Sequence, residues 1–152
     1  VNARTPLEIR ALRMLARREH SRQELERKLV AHMEFCGMDV LAEVLDKLEQ
    51  QGYLSEKRAV EQIARTRRAR FGSHRIVHEL KAKGIDSHLI DNVLPTLKET
   101  ELEAALNIWS KKFDHPPVSR EERDKQIRFM MNRGFSMETI RQVLAKVDEA
   151  ST

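Results

Sequence analysis

The second half of this 152-residue chain repeats itself at a shift of fifty residues. Val77 falls on Ile127, Leu80 on Met130, Gly84 on Gly134 and Ile85 on Phe135. Ile90 falls on Ile140, Val93 on Val143, Leu94 on Leu144 and Leu97 on Val147. The register has no gaps, and a glycine recurs between two helical patterns. A repeat of this length means one small helical unit used more than once and stacked on its neighbours. Such arrays more often hold a long partner than do chemistry in a pocket.

The first third fits the same unit less tidily. Leu25 and Leu29 correspond to Ile76 and Leu80, and Leu41, Val44, Leu45 and Leu48 to Ile90, Val93, Leu94 and Leu97. The turn around Phe35, Cys36 and Gly37 is about two residues longer than its counterparts. Three copies of three helices result, spanning 6–54, 55–98 and 99–149. Start signals agree: Thr5-Pro6-Leu7-Glu8, Ser21 with Glu24, Ser55, and Ser119 with Glu122 are helix caps. Gly52 stops the third helix. The third copy opens with Leu102, Ala105, Leu106 and Trp109 at helical spacing, then breaks at Asp114-His115-Pro116-Pro117. No useful strand-like alternation occurs. The expected fold is all-α, an elongated tandem array of three three-helix, helix-turn-helix-like repeats. Units this small bury little core alone, and loose end-to-end packing is expected.

Charge sharpens the picture. The net +4 divides very unevenly. Residues 1–56 carry 9 basic and 10 acidic side chains, and residues 84–152 carry 10 and 12. Residues 57–83 carry 9 basic and 2 acidic, so all the positive excess sits in the centre. That is an electrostatic footprint for a polyanion or an acidic protein groove. Placed on a helical wheel, Arg58 and Arg65 point away from Val60 and form a solvated ridge, with Arg68 to one side. Arg67 falls on the apolar side, so it must snorkel or the helix must end there. Glutamates four residues away, the usual compensation, are nearly absent.

Other functions find little support. Helix-turn-helix DNA readers carry Arg, Lys, Asn or Gln on the recognition helix. Here the third helices offer Glu43, Asp46 and Glu49 against Lys47 in the first copy, Asp91 and Asn92 in the second with Lys98 expected beyond its end, and Glu138, Arg141, Gln142 and Lys146 in the third, so two of the three are acidic or poor in donors. The aromatics, Phe35, Tyr53, Phe71, Trp109, Phe113, Phe129 and Phe135, mostly fall on apolar stripes or turns, so no base-stacking platform is expected. Nucleic-acid binding should then be phosphate-driven, weak in sequence preference and salt-sensitive. His74 and His78 are spaced for a metal on a helix but lack a third ligand. Cys36 has no histidine partner and no second cysteine, which points to a structural thiol in a reducing, cytoplasmic setting. No phosphate loop, nucleophile elbow or carboxylate pair appears, so neither an enzyme nor a cofactor is expected. No apolar run approaches a membrane span, and no signal-peptide pattern opens the chain.

Particular runs resemble the bacterial regulatory family RecX. They are Ala11-Leu12-Arg13-Met14-Leu15-Ala16-Arg17-Arg18-Glu19-His20-Ser21 with Glu24-Leu25 and Lys28-Leu29. Gly52-Tyr53-Leu54, Ala59, Arg65, Arg68 and Gly72 follow, then Arg75-Ile76 with Glu79-Leu80-Lys81-Ala82-Lys83-Gly84-Ile85. Val60 departs, since the family often has an aromatic there. The resemblance implies a protein of tandem three-helix repeats that binds the RecA recombinase, lodges in the groove of its filament on single-stranded DNA and inhibits strand exchange, ATP hydrolysis and coprotease activity. Expected partners are RecA and single- or double-stranded DNA through its phosphates; a monomer is expected. The binding residues expected are Arg65, Arg67, Arg68, Arg70, Arg75, Lys81 and Lys83, with Arg17, Arg18 and Arg22 as weaker candidates. The alternatives are a stand-alone helix-turn-helix nucleic-acid-binding regulator and a generic helical scaffold.

Overall fold

A computed structural model gives the structure of residues 4–33 and 37–151; Phe35 and Cys36 lie outside the described residues. Among the described residues there are nine helices and no strand. In chain order they are α1 (Pro6–Arg17), α2 (Arg22–Val30), α3 (Met38–Gln50), α4 (Glu56–Arg67), α5 (Ser73–Ala82), α6 (Ser87–Glu99), α7 (Glu101–Lys112), α8 (Arg120–Asn132) and α9 (Met137–Ala150). None of them is long and apolar enough to cross a membrane.

The apolar stripes close into three separate cores. Leu25, Leu29, Leu41, Leu45 and Leu48 centre the first, within α1–α3. Val60, Ile76, Leu80, Ile90 and Leu97 centre the second, within α4–α6. Ala105, Trp109, Met130, Ile140 and Val143 centre the third, within α7–α9. Fully burying one such leucine or isoleucine stabilises by about 1.5–3 kcal/mol. The fifty-residue register survives in space: Leu80 and Met130 are both fully buried, as are Ile90 and Ile140 to within a few per cent. Leu94 breaks it, being 39% exposed where Leu144 is 5% exposed, because Leu94 faces an open cleft beside α9 instead of its own core.

The recurring glycine has a backbone reason. Gly84 and Gly134 have φ of 76° and 96°, left-handed values that L side chains resist. Each sits just past a helix end, where Ile85 and Phe135 return their N–H groups to the carbonyls of Leu80 and Met130. The capping serines and threonine act as the sequence implies: Thr5 and Ser21 accept from the N–H groups of Glu8 and Glu24 at 3.2 and 3.1 Å. Glu122 reaches back to accept from the Val118 N–H at 2.7 Å, but the glutamates of α1 and α2 do not reach back. Glu8 instead takes Lys47 at 3.1 Å, and Glu24 takes Arg18 at 2.6 Å.

Successive repeats dock by one rule. The first turn of a repeat meets the second turn of the next. Between repeats one and two, Ser21 Oγ donates to the Lys83 carbonyl at 3.3 Å, and the Gln23 side chain fills the space beside Gly84. Between repeats two and three, Gly72 N–H donates to the Arg133 carbonyl at 2.7 Å, and His74 N–H to the Gly134 carbonyl at 3.1 Å. Lys83 and Arg133 are equivalent in the fifty-residue register, so the same carbonyl is used twice. A Cβ on Gly72 would lie 2.5 Å from Gly134 O, so these two backbones touch. The second joint is therefore tied backbone to backbone and the first by side chains on backbone groups, so neither is loosely packed as the small unit size suggested. Stacking at the turns alone still leaves much surface open. The chain exposes 10103 Å², against about 7,900 Å² for a compact monomer of 17.7 kDa. The array is extended.

Candidate functional site

The cations of the central segment fall into three roles. Some tie the array together. Arg58 pairs with Glu19 at 2.9 Å and caps the Gly52 carbonyl, joining repeats one and two. Arg67 ends α4 and pairs with Glu79 of α5 at 3.1 Å, which resolves its apolar-side position. Arg68, expected on the flank of a solvated ridge, is only 14% exposed and pairs with Glu101 of α7 at 2.8 Å. It also donates to the Leu97 carbonyl and to Thr100, so it clasps both ends of the α6–α7 corner. Glu101 in turn accepts from the N–H and hydroxyl of Ser73. Lys83 reaches Glu24 of repeat one at 3.5 Å.

Glu24 is the hub of that first joint. Its side chain is 7% exposed and meets Arg18, Lys83 and Lys28 within 4 Å. Burial pushes its pKa up, but the Arg18 hydrogen bonds and the charges of Lys83, Arg18 and His20 outweigh that and hold it down at about 2. His20 beside it is buried, which lowers its pKa, while the Arg18 carbonyl on Nδ1 works the other way. Arg22 is tied within repeat one to Asp46 at 2.7 Å and Glu49 at 3.1 Å. Of the weaker candidates, Arg17 alone points freely into solvent at the end of α1.

A second set converges without an ion-paired carboxylate among the described residues. Arg75 lies 4.4 Å from the centre of the Phe71 ring, Arg70 5.7 Å and Arg133 5.8 Å. Arg133 also lies 5.1 Å from the Phe129 ring, which Lys112 approaches at 5.6 Å. Four cations from two repeats thus gather on two rings. Backbone contacts fix them: Arg75 donates to the Asn132 carbonyl at 3.1 Å, and its Cβ lies against Gly134. Glu79, the carboxylate nearest in sequence to this turn, is engaged by Arg67, and Glu101, which accepts from Ser73, is engaged by Arg68. Each ring contact offsets only about 0.5–1 kcal/mol of the crowding at an exposed site. The result is a fixed cationic patch that an anion would relieve.

The third set, Arg65 and Lys81, is exposed on α4 and α5. Of the seven residues expected from the sequence, the structure therefore brings Arg70 and Arg75 together, leaves Arg65 and Lys81 on the surface, and commits Arg67, Arg68 and Lys83 to ion pairs. Sequence reasoning missed Arg133 and Lys112. The repeat held a signal for Arg133: it precedes Gly134 as Lys83 precedes Gly84. On the same joint, His74, Asp91, Leu94, Lys98, Leu102 and Glu138 line an open cleft of about 700 Å³. Its charges are mixed and its floor is apolar. His74 and His78 are both exposed.

The second three-helix domain of RecX matches residues 55–94, and the third matches residues 99–144. The Regulatory protein RecX of Leptothrix cholodnii is 45% identical over 91% of this chain and 87% of its own length. This chain belongs to the RecX family. The RecX of Ralstonia pickettii is 41% identical, covering 94% of this chain and 89% of that protein. In three dimensions the chain resembles the crystal structure of RecX from Lactobacillus salivarius, with a TM-score of 0.77 at 22% identity over 93% of this chain and 94% of that one. That likeness is one of RecX fold. Family membership makes the chain a regulatory protein.

Proposed function

We infer that this RecX-family chain binds the RecA recombinase and its filament on single-stranded DNA, and inhibits strand exchange, ATP hydrolysis and coprotease activity. No catalysis by the chain itself is involved. Relatives named as regulatory proteins, matching over nine-tenths of the chain, carry this reading. The physical support is the cationic patch at the joint of repeats two and three, on an extended array suited to lying along a filament. Arg70, Arg75, Arg65 and Lys81, with Arg17 at the other end, are the side chains free to meet acidic protein or phosphate. Arg67, Arg68, Lys83, Arg18 and Arg22 act by holding the array in shape.

The stand-alone helix-turn-helix reading has no comparable support. On α3, Glu43, Asp46 and Glu49 are exposed and would face phosphate unfavourably. The test is the ATPase activity of RecA on single-stranded DNA, titrated with this protein at several salt concentrations. Wild-type protein lowers the rate, more so at low salt. Reversing Arg65, Arg70 and Arg75 to Glu restores it while the circular dichroism of the protein is unchanged. A wild-type protein without effect would sink the reading, and full inhibition by the triple variant would sink the patch.

A further inference from the structure

We propose that Arg70, Arg75 and Arg133 form a clamp for the phosphodiester backbone of a single nucleic-acid strand, present only while repeats two and three are docked. Three guanidinium groups lie within 5.8 Å of one ring centre. Two come from repeat two and one from repeat three, so neither repeat holds the clamp alone. Guanidinium groups present planar, bidentate donors that suit phosphate oxygens. The donor capacity is open: Arg75 uses one Nη1 hydrogen on the Asn132 carbonyl, and Arg133 makes one long contact of 3.5 Å to the Arg70 carbonyl.

The same geometry excludes base recognition. The Phe71 ring is covered by guanidinium groups and is only partly exposed, so it offers no free face for a base. The clamp therefore reads charge and spacing, not sequence. A compact convergence of three arginines favours phosphate over the dispersed carboxylates of an acidic protein surface. Docking is required because Gly72 must touch Gly134 to bring Arg75 beside Asn132 and Arg133 beside Arg70. The clamp deepens the filament reading above, but the two can fail separately.

The test uses the full chain and a labelled oligothymidylate, with affinity followed by fluorescence anisotropy from about 50 to 200 mM salt. Each phosphate neutralised contributes about 0.7 to the slope of log affinity against log salt for a single strand. Arg133→Gln is expected to flatten the slope by about 0.7, and the combination with Arg70→Gln and Arg75→Gln by about 2. Gly72→Ala removes no charge, yet by separating the repeats it should flatten the slope like the triple variant. Lys125→Gln, an exposed cation of α8 outside these ring contacts, serves as the control and leaves the slope of wild type. Emission from Trp109, buried and bonded to Gln126 at 2.8 Å, reports that repeat three stays folded. Equal slopes for Arg133→Gln and Lys125→Gln overturn the clamp. So does a Gly72→Ala variant with the wild-type slope. If Arg133→Gln keeps the wild-type slope on DNA but loses RecA inhibition, the cluster contacts protein: the clamp falls and the regulatory reading stands. If it flattens the slope and still inhibits RecA fully, the clamp stands and its part in inhibition falls.

Discussion

Glu24→Gln should be among the most damaging single changes of a polar side chain in this protein, and only above about pH 4. The carboxylate is 7% exposed and joined to Arg18 at 2.6 Å, Lys83 at 3.5 Å and Lys28 at 3.9 Å. Its pKa falls from 4.5 to about 2 on folding. A drop of about 2.5 pH units corresponds to about 3.4 kcal/mol of stability. Arg18 is 42% exposed, so solvent screening trims the contribution to about 2 kcal/mol. Because the folded pKa is the lower one, this stability is complete above the unfolded value of 4.5. It is lost as pH falls towards 2, with less than about half remaining at pH 3. Urea unfolding of wild type and Glu24→Gln at pH 7 and pH 3 measures it. The expected difference is about 2 kcal/mol at pH 7 and under about 1 at pH 3. A difference that is the same at both pH values would refute the assignment of the stability to the charged carboxylate. The lost charge also leaves three cations facing each other, so added salt should partly rescue the variant at pH 7.

Arg68→Ala strands the mostly buried Glu101 without its cation and should cost about 3 kcal/mol or more in denaturant unfolding; Arg65→Ala, on the exposed face of α4, should leave the midpoint in place. Gly134→Ala forces a side chain into φ 96° and into the Arg75 backbone at 2.7 Å, so it should cost about 2 kcal/mol or more and loosen repeat three. Gly52→Ala carries a similar φ of 84° but meets nothing within 4 Å, so calorimetry should find only about 1 kcal/mol.

The fold was readable in the sequence because its causes are local. Apolar residues three and four apart, a capping serine, and a glycine past the last turn all act within one helix or its neighbour. The equivalence of Leu80 with Met130 and of Ile90 with Ile140 in the core follows directly. The site was readable only in part, because charge compensation here is not local. Arg67 finds Glu79 twelve residues on, Arg68 finds Glu101 thirty-three residues on, and Lys83 finds Glu24 in another repeat. A count of glutamates four residues away cannot see those partners. Arg133 was hidden for the opposite reason. It belongs to a stretch with a net acidic count, yet docking sets it against Phe71 of repeat two. Leu94 carries the same lesson: its register puts it in the core, and the opening between α6 and α9 leaves it exposed.

The single docking rule also gives the array mechanical leverage. Each repeat meets the next at one end, through a pair of turns and the ion pairs beside them, and its helices run on for about 20 Å from that fulcrum. A rotation of about 10° at Gly72 and Gly134 would swing the far end of a helix by about 3.5 Å. Two such pivots in series, acting in the same sense, add their displacements. Small adjustments at two glycine turns therefore translate into changes of pitch, the quantity that a ligand wound around a helical support has to match.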